Sequence, residues 1–231
     1  MSWLEALFPK PPELTPQQAE RLATWQALPV PRQDQPVSAS RYVVVDVETS
    51  GLNTAKDHLI AIGAVAVTHG RIQLSDSLEI VLQQTEASEK DNILIHGIGG
   101  TVQREGVPPA DALLTFLEYL GKDPLIAFHV AFDQAMINRA LKQFLGLKFE
   151  HDWADLAYVA PALHPRIARH TRALDDWMRL FGISNYARHN ALADALATAE
   201  LFLVLQPLIA ARGENDFREM KTLEQAWQRQ S

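Results

Sequence analysis

The chain predicts an α/β fold in which a mixed sheet is covered by helices, and three observations carry that reading. Strand-like apolar runs crowd the first half of the chain and helix-period runs the second, with one helical segment between the third and fourth strands. The first strand-like run, Tyr42 to Val47, is almost wholly β-branched and apolar, the mark of a strand buried on both faces. With 47% hydrophobic against 21% charged residues, a chain of 231 residues can bury a sizeable core.

The elements follow in order. Residues 1–40 form a Pro-rich arm: Pro9, Pro11, Pro12, Pro16, Pro29, Pro31 and Pro36 leave one helical window, Thr15 to Leu28, with Thr15 as cap and Pro16 in the first turn. Leu22, Trp25 and Leu28 recur at spacings of three, which suits a helix lying on the domain surface or an element that binds a partner. Residues 41–212 form the main domain. Tyr42 to Val47 is its central strand, and Leu59 to Val67 and Arg71 to Leu82 flank a His69-Gly70 hairpin turn, so three antiparallel strands come first. A loop containing His96-Gly97-Ile98 leads to the helix Pro109 to Leu120, whose Leu113, Phe116, Leu117 and Leu120 share a face. The strand Leu125 to Phe128 follows, then helices at Phe132 to Leu145, Trp153 to Leu163, Leu174 to Phe181 before Gly182, and about Ala191 to Ala211. Residues 213–231 read as a polar tail with some helical character.

Composition excludes several classes. A formal charge of -7 argues against a protein that coats long stretches of nucleic acid, although a small footprint stays open. The absence of cysteine removes disulfides, thiolate metal sites and cysteine nucleophiles together. The longest apolar runs, Leu59 to Val67 and Leu201 to Leu205, fall short of the ~20 residues that span a bilayer, so no membrane segment is expected. The opening Met-Ser-Trp-Leu-Glu lacks a basic leader and an apolar signal region, which predicts a cytoplasmic protein.

Five polar residues do not fit a plain core. Asp46 and Glu48 interrupt the most apolar strand and, two apart, project from the same face with Cα atoms ~6.6 Å apart. Either a positive charge sits between them or the strand ends at Val45 and both are solvated. Asp133 lies just past the strand Leu125 to Phe128, at a strand end where sites on such sheets collect, and serves there as a site carboxylate or as a helix N-cap. In His189-Asn190-Ala191-Leu192-Ala193-Asp194, Asn190 is a natural cap, which leaves His189 on the preceding loop and Asp194 in the second helical turn. A histidine so placed is structural or catalytic.

Together these residues resemble the DEDDh superfamily of 3'→5' exonucleases, which includes the epsilon proofreading subunit of bacterial DNA polymerase III, oligoribonuclease and ribonuclease T. The matching stretches are Val45-Asp46-Val47-Glu48-Thr49-Ser50-Gly51-Leu52, His129-Val130-Ala131-Phe132-Asp133, and His189 to Asp194. His96-Gly97-Ile98 is similar to the linking segment of the family. The likeness runs from about Arg41 to Leu205, and the five-residue step from His189 to Asp194 suits the histidine branch. Val130 stands where the family usually has Asn.

The resemblance implies a ribonuclease H-like mixed five-stranded sheet flanked by helices. It also implies an enzyme that releases nucleoside 5'-monophosphates from nucleic-acid 3' ends, single-stranded or short, with two Mg²⁺ as cofactors and Mn²⁺ able to substitute. Asp46, Glu48 and Asp194 would hold the ion that activates water, Asp46 and Asp133 the ion beside the leaving group, and His189 would be the general base. Thr49, Ser50, Gly51 and Leu52 would cradle the terminal nucleotide, or form a plain surface loop. In the basic run His164 to Arg172, the side chains of Arg166, Arg169 and Arg172 would grip phosphates, or stand solvated. Asp155 would cap the helix from Leu156, and His129 would orient neighbouring groups or be a core histidine. A polymerase partner could dock on the arm. A non-catalytic binding module on the same fold is the main rival, and a two-carboxylate glycosidase would leave Asp133, His189 and Asp194 without a role.

Overall fold

A computed structural model describes residues 12–185, 187–213 and 216–230; residues 1–11 of the arm, with Pro9 and Pro11, lie outside the described residues. The central element is a five-stranded sheet in the order β3-β2-β1-β4-β5. Its strands are β1 (Arg41–Thr49), β2 (Leu59–Thr68), β3 (Arg71–Val81), β4 (Leu125–Ala127) and β5 (Trp153–Asp155). The pairs β1/β2 and β2/β3 are antiparallel, while β1/β4 and β4/β5 are parallel, so β1 is the line along which the direction of pairing changes.

Strand alternation divides the core into two layers. Val43, Val45 and Val47 face a layer built on α4 (Pro109–Leu120) and α5 (Val130–Leu145). Tyr42 and Val44 face the opposite layer, built on α6 (Leu156–Leu163), α7 (Leu174–Phe181), α8 (Ala191–Ala210) and α9 (Phe217–Gln228). Asp46 and Glu48 continue the second series and so point toward the α8 side.

Four elements differ from the expectations. The segment Trp153 to Leu163 is not one helix: Trp153–Asp155 pair with Leu125–Ala127 as β5 before α6 begins. An apolar run this short has no period of its own, and the partner β4 decides its conformation. The loop around His96-Gly97-Ile98 contains two short helices, α2 (Lys90–His96) and α3 (Gly100–Arg104), with His96 buried and its Nδ1 accepting from the Ile98 N–H at 2.9 Å. The polar tail contains α9, whose Phe217, Met220 and Leu223 are buried at spacings of three on α6 and β5. Among the described residues, α8 is the one helix with the length and hydropathy to cross a membrane, which the run-by-run reading did not register. It is packed on β1 and β2, with Ala195, Ala199, Phe202 and Leu205 wholly buried.

The arm's helix α1 (Pro16–Gln26) starts at the expected cap, with Thr15 and Gln18 exchanging side-chain and backbone hydrogen bonds. Arg21 bridges to Glu118 and Asp111 on α4 at 2.7 and 3.3 Å. Leu22 and Trp25 enter the first core layer, whereas Leu28 lies past the helix end and is exposed. Trp25 also donates from Nε1 to the Gly121 carbonyl at 2.7 Å. Trp25→Ala is therefore expected to destabilise the protein by about 3 kcal/mol, read as a lower urea midpoint in one cooperative transition. An unchanged midpoint would mean that the arm folds apart from the sheet.

Candidate active site

The site assembles where β1, α5 and α8 meet, and a glycine allows it. Gly63 on β2 lies opposite Asp46 on β1. A Cβ on Gly63 would stand 2.1 Å from the Ala191 carbonyl carbon and the Leu192 nitrogen, so only a bare backbone admits the first turn of α8. Asn190 caps that turn by accepting from the Ala193 N–H at 2.9 Å, and Asp194 follows on the buried side of the helix. One oxygen each from Asp46, Glu48 and Asp194 then lies within 4.8 Å of the others.

Asp194 is 5% exposed, and both its oxygens accept hydrogen bonds. Oδ2 accepts the His189 backbone N–H at 3.0 Å, and Oδ1 receives both Asn185 Nδ2 and Arg188 Nη1. The positive group called for beside Asp46 and Glu48 is thus supplied in part by Arg188, which the sequence reading did not single out. Burial pushes the Asp46 carboxyl well above the usual carboxylate range, helped by the charges of Asp133, Asp194 and Glu48 and opposed by Arg188. Glu48 is pushed up to about 8, by burial and then by Asp194.

Asp133 stands in the first turn of α5, 4% exposed, outside the trio but close enough for its charge to act on Asp46. Burial raises it to about 8 against the hydrogen bonds of its own and the Val47 backbone. It is not the cap of its helix. That backbone role falls to His129, in the left-handed region at φ 68°, and the amide groups there are held by Asp155. The Asp155 carboxylate accepts from the N–H groups of His129 and Val130 at 3.0 Å each and of Ala157 at 2.9 Å, so one buried side chain fastens the starts of both α5 and α6. Its cap of the helix from Leu156 is as expected, and its hold on α5 is additional. Glu224 of α9 accepts the Asp155 N–H in turn at 3.2 Å.

The remaining candidates are scattered. His189 has φ 61° and an exposed ring; it reaches the trio only through its backbone N–H. His129 is not a core histidine: it is exposed, its ring edge-on to Phe128 at 4.9 Å. Thr49 is buried and its hydroxyl donates to the Gly51 carbonyl at 2.7 Å, while Ser50 donates to Asp57 at 3.1 Å. A side chain at Gly51 would meet the Asp57 carboxylate at 2.6 Å, and Leu52 stands 87% exposed at the loop tip. Arg166, Arg169 and Arg172 are exposed between α6 and α7. Sequence reasoning missed Gly63, Asn185 and Arg188. A lone glycine inside an apolar strand was an available signal for the first. Asn185 and Arg188 act through a loop whose path no local pattern encodes.

Comparison with known proteins places this geometry. Residues 43–202 match the family model RNase T, described as exonuclease. The chain is 30% identical over 173 residues to the PolC-type DNA polymerase III of Bacillus subtilis, a match covering 74% of this chain and 12% of the polymerase. It is 27% identical over 190 residues to the DNA polymerase III subunit epsilon-like protein of Rhodobacter capsulatus, covering 81% of this chain and 27% of that protein. It therefore spans only a minor part of the length of these relatives. Among solved structures, E. coli exonuclease I in complex with a dT13 oligonucleotide aligns with a TM-score of 0.63 at 17% identity, covering 75% of this chain and 42% of that one. Exonuclease X in complex with 5' overhanging duplex DNA aligns with a TM-score of 0.61 at 18% identity, covering 79% and 99%. The structural likeness shows a shared ribonuclease H-like fold, and the family match runs from β1 through the helix that carries Asp194. The chain belongs to the RNase T family of DEDD-type exonucleases, nuclease hydrolases that use divalent metal ions.

Proposed function

We propose that the chain hydrolyses phosphodiester bonds at nucleic-acid 3' ends, with DNA favoured, and releases nucleoside 5'-monophosphates. The observation that carries this reading is the carboxylate set on one wall: Asp46, Glu48 and Asp194 within 4.8 Å, with Asp133 acting on Asp46 from α5. Such a set is unfavourable in a folded protein without positive charge, and all-oxygen donors suit hard divalent cations. Asp46, Glu48 and Asp194 would hold one Mg²⁺ and Asp46 with Asp133 a second, Mn²⁺ substituting. When bound, the ions supply an activated water and neutralise charge on the leaving oxygen.

The chain's own groups do the rest. His189, tethered by its backbone to Asp194, takes the proton from the attacking water as general base. Exposed Leu52 at the tip of the loop after β1 offers an apolar surface to the terminal base, with Thr49, Ser50 and Gly51 shaping the turn. His129 at the start of α5 and Arg166, Arg169 and Arg172 are solvent-facing and available to the strand's phosphates. The relatives named for DNA polymerase III support DNA as substrate and a polymerase as partner. One face of α1 is already spent on α4, so a partner at the arm would meet the outer face of that helix.

Digestion of 3'-labelled and 5'-labelled single-stranded DNA, duplex DNA and short RNA, with Mg²⁺, Mn²⁺ or EDTA, tests the reading. Metal-dependent release of mononucleotides from 3' ends is expected, and activity that survives EDTA would overturn it. Preference for short RNA would shift the assignment to an exoribonuclease. His189→Ala is expected to lower turnover by ~10² to 10⁴, the range of a general base, with little change in melting temperature because the ring is exposed.

A further inference from the structure

Arg188 touches a carboxylate that the proposed function gives to a metal ion, and its own surroundings show what it does there. It reaches between two helices: Nε pairs with Asp175 Oδ1 of α7 at 2.8 Å, and Nη1 contacts Asp194 Oδ1 of α8. Among the described residues, Asp194 has three donors. The His189 N–H is backbone, held in place by the left-handed turn at φ 61°. Asn185 belongs to a closed turn, its Oδ1 accepting the Ala187 N–H at 2.9 Å. Arg188 alone among the three carries charge and hangs on a long, rotatable side chain, with a second carboxylate to retain it.

We propose that Arg188 is a positioning residue that holds Asp194 in the metal-free protein and yields it to the incoming cation while Asp175 keeps the guanidinium at the rim. This inference rests on the metal reading above. A like charge next to the carboxylate trio weakens cation binding, and Oδ1 of Asp194, which already accepts from both Asn185 and Arg188, has both lone pairs taken, so a cation using that oxygen must replace one of these donors. Arg188 is the donor that a change of rotamer removes. In exchange, the guanidinium holds the Asp194 carboxylate in place before any ion arrives.

Mn²⁺ binding to the full chain without nucleic acid, followed by electron paramagnetic resonance and calorimetry, tests this with wild type, Arg188→Gln, Arg188→Lys and Asp175→Asn. Arg188→Gln is expected to bind Mn²⁺ roughly tenfold more tightly, and to melt lower than wild type without metal but gain more on adding it. Arg188→Lys should stay near the wild-type affinity because it keeps the charge. Asp175→Asn, which loosens the anchor but not the charge, should change affinity less than Arg188→Gln. Equal or weaker Mn²⁺ binding by a folded Arg188→Gln variant overturns the proposal while leaving the metal site standing. A wild-type chain that binds no Mn²⁺ overturns both.

Discussion

Replacing Asp46 by Asn is expected to abolish nucleotide release and, without metal at pH 8 or above, to raise the melting temperature by several degrees. The first effect follows from the proposed role of Asp46, which lies in the trio and feels the charge of Asp133, as a ligand of both ions. The second follows from the direction of the pKa shifts. Asp46 is raised by burial and by its acidic neighbours, and Glu48 and Asp133 are each raised to about 8. A carboxyl whose folded value exceeds its unfolded one is tolerated while protonated and becomes a burden once ionised, so stability falls as pH climbs from about 4 through about 8. Each pKa unit corresponds to ~1.4 kcal/mol, and after solvent screening of the half-buried Glu48 the combined burden is on the order of a few kcal/mol. At ~2 to 4 °C per kcal/mol for a chain of this size, that is readable by calorimetry. Asn at position 46 removes one charge and relieves its neighbours; the gain should vanish near pH 5. Mg²⁺ should produce the same stabilisation in wild type and much less in the variant. A variant that melts lower at both pH values would contradict the charge-burden account.

Gly63→Ala is expected to reduce activity at least ~100-fold and to destabilise the fold by about 2 to 3 kcal/mol, although it adds only one methyl group. The new Cβ would fall 2.1 Å from the backbone of Ala191 and Leu192, so the first turn of α8 must move rather than a flexible side chain. That turn carries Asp194, and a displacement near 1 Å at a reacting centre is worth ~10² in rate. Overpacking of a close helix–strand contact costs about 1 to 3 kcal/mol, with more expected where both partners are backbone. Gly63→Val should be worse on both measures. Turnover and urea midpoint together check this: full activity with an unchanged midpoint would mean that α8 does not rest on β2 at this glycine.

The family and the layout of its carboxylates were legible because both are local. Asp46 and Glu48 share a face by strand period alone, and Asn190 announces the turn that separates His189 from Asp194. The three antiparallel strands, the helix over Pro109–Leu120 and the helix from Ala191 could likewise be read from apolar periodicity and turn residues. Where the reading failed, the missing information was a partner distant in sequence. Trp153–Asp155 is a strand because β4 lies beside it, and Phe217–Gln228 is a docked helix because α6 and β5 present an apolar face to Phe217, Met220 and Leu223. Of the two readings of His129, the core histidine is the one the structure overturns: the residue has left-handed backbone at the start of α5 and is exposed.

By itself, the sequence determined the family and which side chains are proposed to carry the chemistry, since a carboxylate's charge and its period along a strand or helix are properties of the local chain. Only the tertiary structure decided how those charges are tolerated: Gly63 lets α8 approach β1, Asp155 fastens the helix that bears Asp133, and Arg188 leans on Asp194. These depend on distances between segments far apart in the chain, and electrostatic and packing energies change steeply with distance while sequence spacing does not encode it.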